Sequence, residues 1–190
     1  YVEQLALKTE RLRQLTENLV DASKASSGAV KLDMQPLNLV ELLRQVAGEF
    51  TPRLANEQLE LVTRLPEGIE SVLMMTDGSL LWRVLENLLD NARKYSLAGS
   101  RVYLYLELGK EEVRIRVRNI TAEPLNISEE ELMERFVRND ESRHSAGSGL
   151  GLSIARSLTE ILSGEFSINI TDDVFVATVA FPGDHILSIS

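Results

Sequence analysis

The chain has 190 residues, 44% hydrophobic and 26% charged, which accommodates one domain with an appendage and excludes wholesale disorder. With 20 Lys plus Arg against 29 Asp plus Glu, the net charge of −9 opposes bulk affinity for nucleic acid or an anionic membrane, so an anionic ligand requires a local site. Cysteine is absent, which excludes disulfides, a thiol nucleophile and thiolate metal ligation, and there is no run of about 18 apolar residues to span a bilayer.

The chain opens at Tyr1 inside a helical pattern, which points to a piece of a longer protein. Over residues 1–27, Leu5, Leu12, Leu15, Leu19, Ala22 and Ser26 fall on steps of seven, four and three. That spacing fits either a coiled-coil-like seam or an amphipathic helix packed on its own domain. Ser26-Ser27-Gly28 ends the helix. Leu32, Met34 and Pro36 suggest a short edge strand, followed by a helix over about 39–57 carrying Val40, Leu43, Val46, Ala47 and Phe50. Leu59–Leu65 reads as a strand closed by Pro66-Glu67-Gly68.

Asp77 caps a helix over about 78–95, where Leu81, Val84, Leu85, Leu88 and Ala92 recur at three and four. Val102–Leu108 and Val113–Val117 alternate at period two around Gly109–Glu112 and read as a hairpin. Residues 120–148 lose periodicity, apart from a short helix expected at 129–136, in the manner of a functional lid or a disordered loop. A helix returns at about 149–162, stopped by Ser163-Gly164, and Phe166–Ile170 and Val174–Phe181 form a second hairpin around Asp172-Asp173. This order predicts an α+β fold, a two-layer sandwich with one mixed sheet and helices on one face.

Two patterns carry chemistry. Asn87, Asn91 and Lys94 stand at i, i+4 and i+7, on one polar edge beside an apolar stripe. An Asn carbonyl oxygen is a hard neutral ligand suited to Mg²⁺, and Lys offers a point charge to phosphate; the alternative is an ordinary solvated face. Gly147-Ser148-Gly149-Leu150-Gly151-Leu152 leads into a helix, where backbone N–H groups and the helix N-terminus suit phosphate. It is not a Walker loop, since no Gly-Lys-Ser/Thr follows.

Glu86-Asn87-Leu88-Leu89-Asp90-Asn91-Ala92-Arg93-Lys94-Tyr95-Ser96 resembles the N box of the sensor histidine kinases, within the wider superfamily that includes Hsp90, type II topoisomerase and mismatch-repair ATPases. Glu134–Asp140 resembles their F box, Gly147–Leu152 their glycine-rich lid box, and Leu12–Gly28 the second helix of their dimerisation and phosphotransfer hairpin. The resemblance implies a Bergerat-type histidine kinase/Hsp90-like ATP-binding sandwich preceded by a long N-terminal helix. Residues 1–29 would belong to the hairpin and residues 30–190 to the catalytic ATP-binding domain.

It further implies that Asn91 holds the Mg²⁺ bridging the ATP phosphates, with Asn87 one turn earlier where ATPase relatives place a catalytic glutamate. Lys94 and Tyr95 match residues near the phosphates and adenine, and Arg138 a basic lid residue that steadies the γ-phosphate. Lys94 and Arg138 are the groups expected to act on the reacting phosphates. Gly147, Gly149, Leu150, Gly151 and Leu152 match the lid. The implied partners are ATP, a response-regulator receiver domain and a second copy joined through the helical hairpin, with no nucleic acid. The implied location is the cytoplasmic part of a membrane-anchored sensor, without direct membrane contact in this stretch.

One departure stands out. Where the family shows Asp-x-Gly-x-Gly after the strand Val113–Val117, with its carboxylate accepting from adenine, this chain reads Asn119-Ile120-Thr121-Ala122-Glu123. Asn119 keeps an acceptor oxygen without the charge. His144 and His185 lie outside the amino-terminal helix, so the phospho-acceptor histidine is expected before Tyr1. The readings are therefore a histidine kinase catalytic region or a degenerate pseudokinase module that scaffolds a partner. An Hsp90-type ATPase is disfavoured because Asn87 replaces the base.

Overall fold

The computed structural model describes residues 32–122 and 150–190, and the fold they form is the compact unit Asp33–Ser190. The amino-terminal helix, the hairpin boundary at 29, the short helix at 129–136, Arg138, Gly147 and Gly149 lie outside the described residues.

Strand β1 (Gln35–Asn38) runs directly into helix α1 (Leu39–Ala55). Asn38 caps the helix by accepting from the Val40 N–H at 3.1 Å, and the same Oδ1 accepts from the Val72 N–H at 3.2 Å. One side chain thus fixes both the helix start and a neighbouring strand. The helix buries Leu39, Val40, Leu42, Leu43, Val46, Phe50 and Leu54. It stops at 55 rather than 57 because Gln58 takes a left-handed φ of 60° and the Leu59 N–H returns to the Leu54 carbonyl.

Strand β2 (Glu60–Arg64), β3 (Val72–Thr76), helix α2 (Gly78–Tyr95), β4 (Arg101–Leu108) and β5 (Glu112–Ile120) follow. After them come helix α3 (Leu150–Ile161), β6 (Glu165–Thr171), β7 (Val174–Pro182), a 3₁₀ turn at Gly183–His185 and β8 (Ile186–Ile189). Both expected hairpins are present, with Leu108 opposite Val113 and Thr171 opposite Val174.

The main sheet has the order β2-β4-β5-β7-β6; β2 and β4 are parallel and the other pairs antiparallel. A parallel pair needs a crossover, and α2 lies within it. Alternation buries Val102, Leu104 and Leu106 of β4, Val113, Ile115 and Val117 of β5, and Phe175, Ala177, Val179 and Phe181 of β7. Against this sheet α1 packs on β2 and β4, α2 on β5, and α3 on β6 and on α2, which makes the expected two-layer sandwich.

The expectation of a single sheet is corrected. A second sheet of order β1-β3-β8 is entirely antiparallel, with Pro36 on its edge strand opposite Met75. Among the described residues no helix is long and apolar enough to cross a membrane.

The stop after α3 divides its work between two residues. Ser163 carries the left-handed turn at φ 60°, whereas Gly164 is needed for space: a Cβ there would stand 2.7 Å from the Phe181 ring and 2.9 Å from the Ala180 carbonyl oxygen. Gly164→Ala is expected to lower unfolding free energy by about 1–3 kcal/mol, the usual cost of overpacking. Gly48→Ala in α1, whose added Cβ meets nothing within 4 Å, is expected to raise it by about 0.5–1 kcal/mol. Urea midpoints of the two variants should move in opposite directions.

Candidate functional site

Helix α2 supplies one wall. Its cap, Asp77, is almost fully buried and accepts from the Ser79 and Leu80 N–H groups at 3.0 and 3.1 Å; its second oxygen accepts from the Asp33 N–H at 3.0 Å. Leu81, Val84, Leu85, Leu88, Leu89 and Ala92 are buried, so the helix cannot rotate without exposing them. Asn87, Asn91 and Tyr95 are consequently held half-buried along one side, with Lys94 exposed at the end.

Asn87 is already committed within its own helix. Its Nδ2 donates to the Arg83 carbonyl at 2.7 Å, which fixes the amide and directs Oδ1 elsewhere. A Cβ on Gly151 would lie 3.5 Å from that Oδ1, so the first turn of α3 packs directly against Asn87. Leu152 is buried in the core, so it can serve a site only through its backbone. The start of α3 therefore brings backbone N–H groups and the positive end of a helix dipole beside the polar edge of α2.

The end of β5 supplies the floor. The Leu97 N–H donates to the Ile120 carbonyl and the Ala122 N–H to the Tyr95 carbonyl, both at 2.9 Å, around a bridge between Ser96 and Thr121. On the other side the Thr121 N–H and hydroxyl both donate to the Asp173 carbonyl, in the β6–β7 turn. Two residues earlier stands Asn119, opposite Phe175 and in the same inward row as Val113, Ile115 and Val117. It is 2% exposed, and its Oδ1 accepts no hydrogen bond. A buried acceptor left unpaired costs about 1–3 kcal/mol, and none of the described residues supplies this oxygen with a donor.

Charge on α2 is arranged to leave the Asn87–Asn91 edge without a carboxylate. Asp90 holds the Arg93 Nε at 3.0 Å, and Arg93 also reaches Glu57 at 3.1 Å. Glu86 has Arg53 of α1 at 3.9 Å. Lys94 has no ion pair among the described residues, so its ammonium is available to a phosphate. Among the described residues no group of three His, Asp or Glu could hold a metal ion. An amide oxygen such as that of Asn91 is a hard neutral donor of the kind Mg²⁺ accepts.

Spacing identified Asn87, Asn91 and Lys94, and their shared edge is observed. The joining of the end of β5 to the end of α2 beside Tyr95 is not given by any spacing in the sequence. Sequence reasoning missed the self-bonded amide of Asn87, which a pair separated by four residues does not disclose, and the raised carboxyl of Glu86.

Residues 76–183 match the family described as histidine kinase-, DNA gyrase B- and HSP90-like ATPase. The chain is similar to the probable sensor protein PcoS of Escherichia coli, 32% identical over 160 residues, covering 83% of this chain and 33% of PcoS. It is also similar to the signal transduction histidine-protein kinase BaeS of Escherichia coli (strain K12), 30% identical over 168 residues, covering 86% of this chain and 35% of BaeS. The chain thus spans about a third of the length of these relatives. Its fold resembles full-length ShkA in complex with AMPPNP, with a TM-score of 0.74, 23% identity, and coverage of 95% of this chain and 37% of that one.

Burial, and next the Asp90 charge, raise the Glu86 carboxyl above its ordinary range, against the opposing pull of Arg53. The folded protein therefore holds this proton more tightly than the unfolded chain. Stability is lost as pH rises through the unfolded carboxylate value, about 4.3, and on to the folded one. Glu86→Gln is expected to gain stability relative to the parent at neutral pH and to lose that advantage below about pH 3.5. Urea denaturation at both pH values reads the difference.

Proposed function

Because the chain belongs to the histidine kinase-, DNA gyrase B- and HSP90-like ATPase family, we propose that it is the ATP-binding catalytic region of a two-component sensor histidine kinase. It transfers the γ-phosphoryl group of ATP to a protein histidine, for relay to an aspartate on a response-regulator receiver domain. The whole protein acts as a homodimer through a helical hairpin and is membrane-anchored, with this region on the cytoplasmic side. The sensor and kinase names of its relatives support this reading over a non-catalytic scaffold.

The observation that carries the proposal is the orphan acceptor of Asn119, buried where β5 meets the end of α2. The amino group of adenine supplies the missing donor, and Tyr95 flanks the same junction. Lys94 neutralises phosphate charge, and the backbone of Leu150–Leu152 receives phosphate at the head of α3. Arg138, Gly147 and Gly149, outside the described residues, would act on the γ-phosphate, and Asn91 would hold Mg²⁺. When bound, that ion neutralises the charge on the phosphates.

An amide at Asn87 cannot serve as a general base, and the α2 carboxylates Glu86 and Asp90 lie beside Arg53 and Arg93. An imidazole acceptor needs less deprotonation than water, so the arrangement favours transfer to histidine over hydrolysis.

Calorimetric titration with ADP and a non-hydrolysable ATP analogue tests the nucleotide site. Micromolar binding is expected, weakened about fivefold by Asn119→Ala through loss of about 1 kcal/mol, and made insensitive to Mg²⁺ by Asn91→Ala. A folded protein that binds no nucleotide would overturn the proposal. In the full cytoplasmic protein, Asn91→Asp is expected to reduce autophosphorylation at least tenfold, and an unchanged rate would remove Asn91 from the metal site.

A further inference from the structure

We infer that Asn119 makes the base subsite accept 6-oxopurine nucleotides as well as adenine nucleotides. This rests on the nucleotide-site reading above and concerns what that site discriminates.

The argument begins from how the two amides differ. Asn87 is locked, because its Nδ2 is spent on the Arg83 carbonyl at 2.7 Å and only its oxygen faces outward. Asn119 has no such partner: it is 2% exposed, its Oδ1 accepts nothing, and no hydrogen bond among the described residues fixes which end of its amide faces a ligand. The Asn side chain has a broad, roughly two-fold terminal torsion, so a half-turn exchanges oxygen for NH₂ in nearly the same place.

A carboxylate at this position could only accept. Facing adenine, it meets the 6-amino donor; facing hypoxanthine or guanine, it meets the 6-oxo acceptor, and two buried acceptors stand opposed. Sites of that kind reject the wrong partner by large factors, because a buried polar group is left unpaired. The amide has an answer to both bases. Its oxygen accepts from the adenine 6-amino group, and after the half-turn its NH₂ donates to a 6-oxo group.

Neighbouring structure keeps the residue in place while the amide turns. The backbone of Asn119 is held in register opposite Phe175, and Thr121 is tied to the Asp173 carbonyl by both its N–H and its hydroxyl. Reorientation is thus confined to the side chain, and it costs no hydrogen bond among the described residues.

Inosine diphosphate is the probe, because it carries the 6-oxo group without the additional 2-amino group of guanine. Calorimetric titration of the protein with ADP and with inosine diphosphate is expected to give affinities within about tenfold of each other. Asn119→Asp should widen that ratio at least tenfold by weakening inosine diphosphate. Asn119→Ala, which removes both ends of the amide and adds no buried charge, should weaken both ligands by similar factors. ADP binding with inosine diphosphate more than a hundredfold weaker, or an Asn119→Asp variant that shifts both ligands equally, would overturn the inference and leave the nucleotide site standing. Failure of the folded protein to bind either ligand would overturn the nucleotide site, and this inference with it.

Discussion

The junction between the end of β5 and the end of α2 is the constraint on which the site depends. Two backbone hydrogen bonds and the Ser96–Thr121 bridge join them on one side, and the Asp173 carbonyl takes two donors from Thr121 on the other. These bonds satisfy groups at a strand end and a helix end, where a chain otherwise leaves backbone polar atoms unpaired. Their result is that the strand end at Ile120–Ala122 and the helix end at Tyr95–Leu97 run side by side.

The apolar layer sets the orientation of that junction. Helix α2 is gripped by six buried side chains, and β5 by three that alternate with arginines on the opposite face. Asn119 takes the next inward position in that row. Its burial is thus a product of strand parity, and none of the described residues pairs with its oxygen. On α2 the charges are disposed consistently with this: Arg53 and Arg93 draw carboxylates away from the side that carries Asn91 and Lys94.

Much of this was legible in the residues. Helix α2 declared itself through the Asp77 cap and the three-four recurrence of leucine and valine, and both hairpins through alternation around short polar turns. The sandwich followed from their order. Strand β3 was not legible, because Val72-Leu73-Met74-Met75 is a short continuous apolar run that periodicity cannot assign. Strand β8 was hidden for the opposite reason: it exposes Leu187, Ser188 and Ile189 and has no buried stripe to reveal it. Two sheets were therefore read as one. On α2, the shared edge of Asn87, Asn91 and Lys94 was legible from helical spacing, whereas the joining of the end of β5 to the end of α2 is a long-range event that no spacing rule reaches. The orientation of the Asn87 amide depends on a carbonyl one turn away, and side-chain identity does not specify it.

The parity of β5 also bears on how chains of this kind can vary over evolutionary time. Removing or adding a single residue between Val113 and Asn119 would carry the amide to the outer face and turn Arg118 inward, among Val117, Ile115 and their neighbours. The turn at Asp172-Asp173 is held as well, because its Asp173 carbonyl takes both bonds from Thr121, so changes in length are absorbed at Gly109–Glu111, where the chain already reverses. Insertions and deletions in descendants of this sequence are thus channelled toward that turn, while the stretch leading to Asn119 is free to change its letters but not its count.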